Sequence, residues 1–176
     1  MIYTCIYKSK LGSILLSADE IVLTGLGFEG QKYFANTLPE EHISQETSIL
    51  TDAKKWLDVY FSGEEPKFTP ALHPTGSTFR QAVWQILLQI PYGQTITYGE
   101  IARQMSEIQN TPHMSAQAVG GAVGHNEISI IIPCHRVVGS NGSLTGYAGG
   151  IDKKIALLKL EHTDMSHLFA PKKAQK

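Results

Sequence analysis

Pro133-Cys134-His135-Arg136 is the densest cluster of reactive residue types in the chain. A cysteine attacks only as thiolate, so it needs a neighbouring base or a positive field. A histidine and an arginine beside it offer both. Adjacency alone does not make a dyad, because neighbouring side chains of an extended segment point to opposite faces. A turn or a bridging water must join Cys134 to His135 before proton transfer is feasible. The alternative is a buried core cysteine ending the apolar run 128–132.

Other chemistries find less support. The only other cysteine, Cys5, lies 129 positions away in an expected strand and reads as structural. Two such cysteines make neither a disulfide scaffold nor a CxxC pair. No HExxH motif occurs, and His162 and His167 sit near the C-terminal end, so no metal is expected. A Gly-x-Ser-x-Gly elbow is absent, and Gly120-Gly121 and Gly139-Ser-Asn-Gly142 lack phosphate-loop spacing.

The segment 116–123 is built almost wholly of Ala, Gly and Val, with Gln117 its one large polar residue. Adjacent glycines inside a helix cost roughly 1 kcal/mol each relative to alanine. Either close packing within the protein offsets that cost, or a small-residue face lets the backbone approach a groove or a base.

The elements that position these groups fall into two halves. Residues 2–7, 13–17 and 21–26 read as three strands of a meander, 31–38 as a short helix, and 49–61 as an amphipathic helix capped by Thr47 or Ser48. Residues 63–77 hold prolines and glycines without helical or strand period, an extended linker. An apolar helix is expected over 79–90. Thr97-Tyr98-Gly99-Glu100 matches a capping box opening a second. A polar loop over 106–113 follows, then Ser115 caps the small-residue helix, giving a helix-turn-helix with a long loop. Residues 128–132 read as a strand and 137–147 as a hairpin turning at Asn141-Gly142, the wing of such a motif. A last helix follows Gly149-Gly150. The expected boundaries are therefore an α/β domain over 1–75, a mostly α domain over 76–170, and a loose tail over 171–176.

The 176 residues carry a net charge of −1, too balanced for a disordered chain or a polybasic nucleic-acid binder. Residues 1–77 hold 6 Lys+Arg and 10 Asp+Glu, whereas 78–170 hold 6 of each. No apolar stretch approaches the roughly 20 residues of a membrane helix, and no signal-peptide layout opens the chain. A cytoplasmic, monomeric protein without a membrane partner is expected.

Four segments in one order then resemble a known family. They are 118–126 (Ala-Val-Gly-Gly-Ala-Val-Gly-His-Asn), 130–138 (Ile-Ile-Ile-Pro-Cys-His-Arg-Val-Val), 144–150 (Leu-Thr-Gly-Tyr-Ala-Gly-Gly) and 157–161 (Leu-Leu-Lys-Leu-Glu). They closely resemble the O6-alkylguanine-DNA alkyltransferases, also called methylated-DNA–protein-cysteine methyltransferases. Val83-Trp84, 90–95 and 97–102 fit the same family. The likeness is firm from about residue 79 to 161; the first 75 residues agree only in length and element order.

The resemblance implies a ribonuclease H-like first domain with a three-stranded antiparallel sheet, and a second domain with a winged helix-turn-helix. It implies double-stranded DNA containing O6-alkylguanine as partner, bound through the minor groove with the damaged nucleotide flipped into a pocket. Cys134 would accept the alkyl group irreversibly and once, without a cofactor. His135 would act as base through a water, and Glu161 would orient it, a relay comparable to a hydrolase triad. Tyr98 would donate to the base ring, backbone N–H groups around Cys134 and Ala148 would receive O6, and Asn126 would brace the turn before the active-site strand. Pro133, Tyr147, Ala148 and Gly149 would line the pocket. Thr97, Tyr98, Ala116, Gln117, Ala118, Gly121, Ala122 and Arg136 would contact DNA.

Three departures stand out. Gln117 occupies the place of an arginine that fills the stack in many relatives, the 106–113 loop is about five residues longer, and Glu127 replaces a common proline. The competing readings are a non-enzymatic alkylguanine sensor of the same superfamily, a winged-helix regulator, and a turnover cysteine hydrolase. The sensors carry tryptophan where this chain has Cys134.

Overall fold

The computed structural model describes residues 1–32, 34–35 and 38–171. In the first half, β1 (Tyr3–Ser9), β2 (Gly12–Ala18) and β3 (Leu23–Phe28) pair antiparallel, with Tyr3 opposite Ala18 and Leu16 opposite Leu26. Ile14, Leu16, Leu26 and Phe28 are buried, and α1 (Ser48–Phe61) presents Leu50, Ala53, Trp56, Leu57, Tyr60 and Phe61 to the core. Thr47 is the cap residue of α1, but its hydroxyl makes no cap hydrogen bond.

The three-stranded expectation needs correction. A fourth strand, β4 (Ile43–Ser44), adds parallel to β1, giving the order β3-β2-β1-β4. Two exposed residues flanked by polar ones carry no alternation, so no sequence period announces this strand. The helix expected over 31–38 lies partly outside the described residues. Lys32, Phe34 and Ala35 form turns, closed by Phe34 N–H donating to the Gln31 carbonyl. The 171–176 tail lies almost wholly outside the described residues.

The 63–77 segment is extended but pinned. The Leu23 N–H donates to the Ala71 carbonyl at 2.7 Å and the His73 N–H to the Leu23 carbonyl at 2.9 Å. Helix α2 (Thr78–Leu88) then starts at Ser77, whose hydroxyl accepts the Arg80 N–H. Helix α3 (Tyr98–Ile108) starts at Thr97, whose hydroxyl accepts the Glu100 N–H at 3.1 Å. The Glu100 carboxylate turns to Arg103 and not back to the cap. Helix α3 runs into the expected 106–113 loop, ending at Ile108. Ser115 caps α4 (Ala116–Gly124) by accepting the Gln117 and Ala118 N–H groups.

Two expected strands are absent. Residues 128–132 curl into a buried turn, with Ile130 at φ 71° and the Ile132 N–H donating to the Ile128 carbonyl. An apolar run carries no period that separates a strand from a buried turn. This turn is held to the sheet: Leu26 N–H donates to the Glu127 carbonyl and Ser129 N–H to the Leu26 carbonyl, at 2.9 and 2.8 Å.

The 137–147 hairpin closes only at its tip, where Gly142 (φ 90°) donates to the Gly139 carbonyl and Gly139 to that of Ser143. Below the tip, β6 (Val137–Val138) pairs parallel with β5 (Ile96–Thr97), and Leu144 bonds Phe169. Competing partners on both sides remove the second hairpin strand. Helix α5 (Ile151–Leu160) follows Gly150, at φ 97°. No helix among the described residues is long and apolar enough to cross a membrane.

Candidate active site

Cys134, His135 and Arg136 form a single 3-10 turn. All three residues are buried on this curled turn, whose successive side chains are rotated by about 120° from one another. His135 is fully buried and Glu161, one residue beyond α5, is 1% exposed. The His135 Nε2 lies 2.5 Å from Glu161 Oε2. That bond places the imidazole proton on Nε2 in the neutral ring and leaves Nδ1 as the acceptor. Nδ1 is buried and has no hydrogen-bond partner among the described residues.

The Glu161 carboxylate is saturated with donors. Oε2 also accepts the Tyr60 hydroxyl at 2.6 Å, while Oε1 accepts Arg136 Nε at 2.7 Å and the Gly93 N–H at 3.1 Å. Burial alone would push this carboxyl up. The hydrogen bond and charge of His135, together with Arg136, overcome that and push it down to about 2. The histidine moves oppositely: burial pushes its pKa down despite the carboxylate, so it rests neutral.

Burial also pushes the Cys134 thiol up, opposed by a hydrogen bond from Asn126 and by the charge of Lys154. Asn126, 5% exposed, does more than touch the thiol. Its Nδ2 donates to the Ile132 carbonyl at 2.7 Å and its Oδ1 accepts the Ile128 N–H at 3.0 Å, tying both ends of the 128–132 turn. Lys154, from α5, is 1% exposed and donates to the Val137 and Thr145 carbonyls. Burial pushes its pKa down to about 8, partly countered by Cys134.

The expected site residues therefore separate. His135 meets Glu161, Asn126 meets the Cys134 thiol, and Pro133 opens the turn on which Cys134 and His135 lie. Tyr147 is buried, its ring edge-on to His135 with centroids 6.4 Å apart. The Gly149 Cα lies so close to that ring that an added Cβ would meet Tyr147 Cε2 at 2.8 Å. Ala148 is half-buried, and its carbonyl accepts the Lys32 N–H. Tyr98 is half-buried and donates to the Thr145 carbonyl at 3.2 Å. The Cys134 N–H is engaged by the Ile132 carbonyl at 2.8 Å, so that group is not open to receive O6.

On α4, Ala116, Gln117, Ala118 and Gly121 are exposed, and Thr97 is half-buried at the start of α3. Two expected DNA contacts face inward and are corrected. Ala122 is 2% exposed, on the buried face of α4, with its carbonyl accepting Trp84 Nε1–H. Arg136 is tied to Glu161 and to the Ile90 carbonyl. Position 122 falls with Val119 and Val123 on the buried stripe of α4, and a buried carboxylate recruits the nearest guanidinium.

The glycines of α4 resolve the alternative raised by their cost. Among the described residues, a Cβ added at Gly120, Gly121 or Gly124 would meet nothing within 4 Å. Internal packing therefore does not require them. They border a cavity of about 280 Å3 whose opposite wall is Lys32, Gly146, Tyr147 and Ala148. Among the described residues no cluster of three metal-ligating side chains occurs.

Tyr60, Gly93 and Lys154 escaped the sequence reading. A lysine inside an apolar helix and a tyrosine in the buried stripe of α1 were the available signals, and neither names its partner.

Two family models match the chain. One, described as the ribonuclease-like domain of 6-O-methylguanine DNA methyltransferase, covers residues 1–74; the other, its DNA binding domain, covers 78–163. A methylated-DNA–protein-cysteine methyltransferase of Methanosarcina acetivorans is 43% identical over 160 residues, covering 90% of this chain and 97% of the relative. The crystal structure of the Mycobacterium tuberculosis O6-methylguanine methyltransferase is 42% identical with a TM-score of 0.77, covering 92% of this chain and 93% of that one. A Mycobacterium tuberculosis structure in complex with DNA aligns with the same identity and TM-score over 91% of each chain.

Proposed function

The chain belongs to the 6-O-methylguanine DNA methyltransferase family, and on that premise we propose how its residues carry the reaction. The activity is DNA repair by alkyl transfer from methylated DNA to a protein cysteine, with Cys134 as acceptor. The observation that carries this reading is the buried turn that sets Cys134 beside a neutral His135 whose Nε2 is fixed by Glu161.

In the reaction, the Cys134 proton passes through a water to His135 Nδ1, the ring nitrogen that has no partner among the described residues. Glu161 stabilises the imidazolium that forms. Sulfur attacks the alkyl carbon in line; the S–C bond forms as the C–O6 bond breaks, and its electron pair stays on guanine. That leaving group gains a hydrogen bond from Tyr98, which turns from the Thr145 carbonyl toward the base. The thioether holds no group that water expels, so each molecule reacts once. No cofactor enters these steps.

The target atom lies inside the base stack, so the nucleotide must be extruded. Helices α3 and α4 serve as the helix-turn-helix and the loop over 137–147 as its wing. The exposed Ala116, Gln117, Ala118 and Gly121 enter the minor groove, with Thr97 and Tyr98 at its edge. Gln117 fills the vacated stack without adding charge. The protein acts as a monomer, with its two domains bounded near residues 75 and 170.

The test is direct. Incubation with an oligonucleotide duplex containing O6-methylguanine should add one methyl, on the peptide containing Cys134, with no further turnover. Binding without modification would favour a sensor, and release of more than one equivalent of repaired DNA would overturn the single-use reading.

A further inference from the structure

Tyr60 belongs to the first half of the chain, a hundred residues from the carboxylate it touches. Its ring is fully buried, stacked on Trp56 with centroids 5.2 Å apart and edge-on to His135 at 6.4 Å. Its hydroxyl donates to Glu161 Oε2 at 2.6 Å and lies 3.4 Å from His135 Nε2. Two donors thus share one carboxylate oxygen, and one of them is the histidine that must accept a proton. We infer that Tyr60 is a positioning residue for alkyl transfer, through which the first domain sets how strongly Glu161 supports the imidazolium of His135. The inference rests on the proposed role of Cys134 and His135.

The two donors compete for one oxygen. Each hydrogen bond to a carboxylate oxygen stabilises its charge and lowers its remaining acceptor strength. With Tyr60 donating, Oε2 pulls less on the His135 Nε2–H, and the ring is a weaker base. The other groups facing the pair do not replace this hydroxyl. Arg136 donates to Oε1, the charge of Lys154 disfavours the imidazolium, and Cys134 and Tyr147 are neutral beside it. Tyr92 lies under the Arg136 guanidinium, 5.8 Å from its ring centre. Among the described residues, Tyr60 alone shares with His135 the oxygen that the ring uses.

The test compares methyl-transfer rate against pH in the full-length parent and Tyr60→Phe. The acid limb, where His135 protonates and stops acting as base, should move up by roughly one pH unit, while the plateau rate changes by less than about threefold. Site-specific 3,5-difluorotyrosine at position 60 keeps the ring and strengthens the donor, and should move the limb the other way. In the free proteins, the His135 Nε2–H proton resonance should move downfield in Tyr60→Phe and upfield with difluorotyrosine. Superimposable profiles, or an equal loss at every pH that tracks a fall in Tm, would overturn the inference. If the parent transfers no methyl group, the functional reading fails separately, and an unmoved His135 resonance then overturns this one.

Discussion

Replacing Gly121 by alanine should make the protein more stable and worse at binding DNA. Gly121 is exposed in the middle of α4, has an ordinary helical φ, and an added Cβ would meet none of the described residues within 4 Å. The substitution therefore removes the conformational cost of glycine without introducing strain, a gain of about 1 kcal/mol. For a chain of this size that raises Tm by about 2–4 °C. The same open space becomes the obstacle once DNA fills it. A methyl group holds the α4 backbone away from the groove by about one van der Waals contact, roughly 3.5–4 Å between carbons. Loss of that approach should weaken binding about tenfold, or about 1.4 kcal/mol.

Thermal unfolding of the free protein and fluorescence anisotropy with an O6-methylguanine duplex, at one fixed salt concentration, measure the two effects. The methyl-transfer rate at saturating DNA should stay close to the parent's, because the variant leaves the Cys134 region untouched. A higher Tm with unchanged Kd would refute the groove argument. A lower Tm would refute the claim that α4 has no internal use for its glycines.

Three further outcomes follow from the buried site. Glu161 has a folded pKa of about 2 against 4.5, so its contribution is present above pH 4.5 and lost as pH falls through 2. That is on the order of 3 kcal/mol, and acid unfolding should show it in the parent but not in Glu161→Gln. The same variant leaves Arg136 buried without its counter-charge, costing about 3–5 kcal/mol at neutral pH, and should slow transfer by about a hundredfold or more. Lys154→Met removes the cation that favours the Cys134 thiolate, and should slow both methyl transfer and iodoacetamide labelling of Cys134 about tenfold; labelling within twofold of the parent would rule out the electrostatic role. Affinity for undamaged duplex should fall gently with salt, with a slope corresponding to fewer than about six neutralised phosphates, because residues 78–170 carry equal numbers of opposite charges and Arg136 is committed to Glu161.

Local signals and tertiary ones differed in how well they could be read. Caps at Thr97 and Ser115 were legible because a hydroxyl bonds a backbone N–H two or three residues away. The core stripe of α1 was legible because its period is a local property. The 128–132 turn was not, because its shape is imposed from outside the run by Asn126 and by the edge of β3. Arg136 was misplaced for a related reason. A cation in a nucleic-acid-binding half suggests phosphate, and only the folded chain reveals a carboxylate 2.7 Å away.

The buried carboxylate also bears on what the 63–77 segment does. A flexible linker would let the two halves vary in separation, and Glu161 would then lose and regain the Tyr60 hydroxyl. Instead Leu23 holds the segment from both sides through Ala71 and His73, and Glu127 accepts the Thr75 N–H at 3.2 Å. The same strand, β3, grips the 127–129 backbone through Leu26. These attachments fix β3 and the 63–77 segment to residues 127–129, just before the Cys134 turn, and the Tyr60 to Glu161 bond joins the same half to the carboxylate that holds His135. A buried carboxylate with four donors tolerates little displacement, since losing any one removes a hydrogen bond to a charged group in a dry interior. The first domain therefore contributes to the chemistry through rigidity, although its sequence contains no reactive motif.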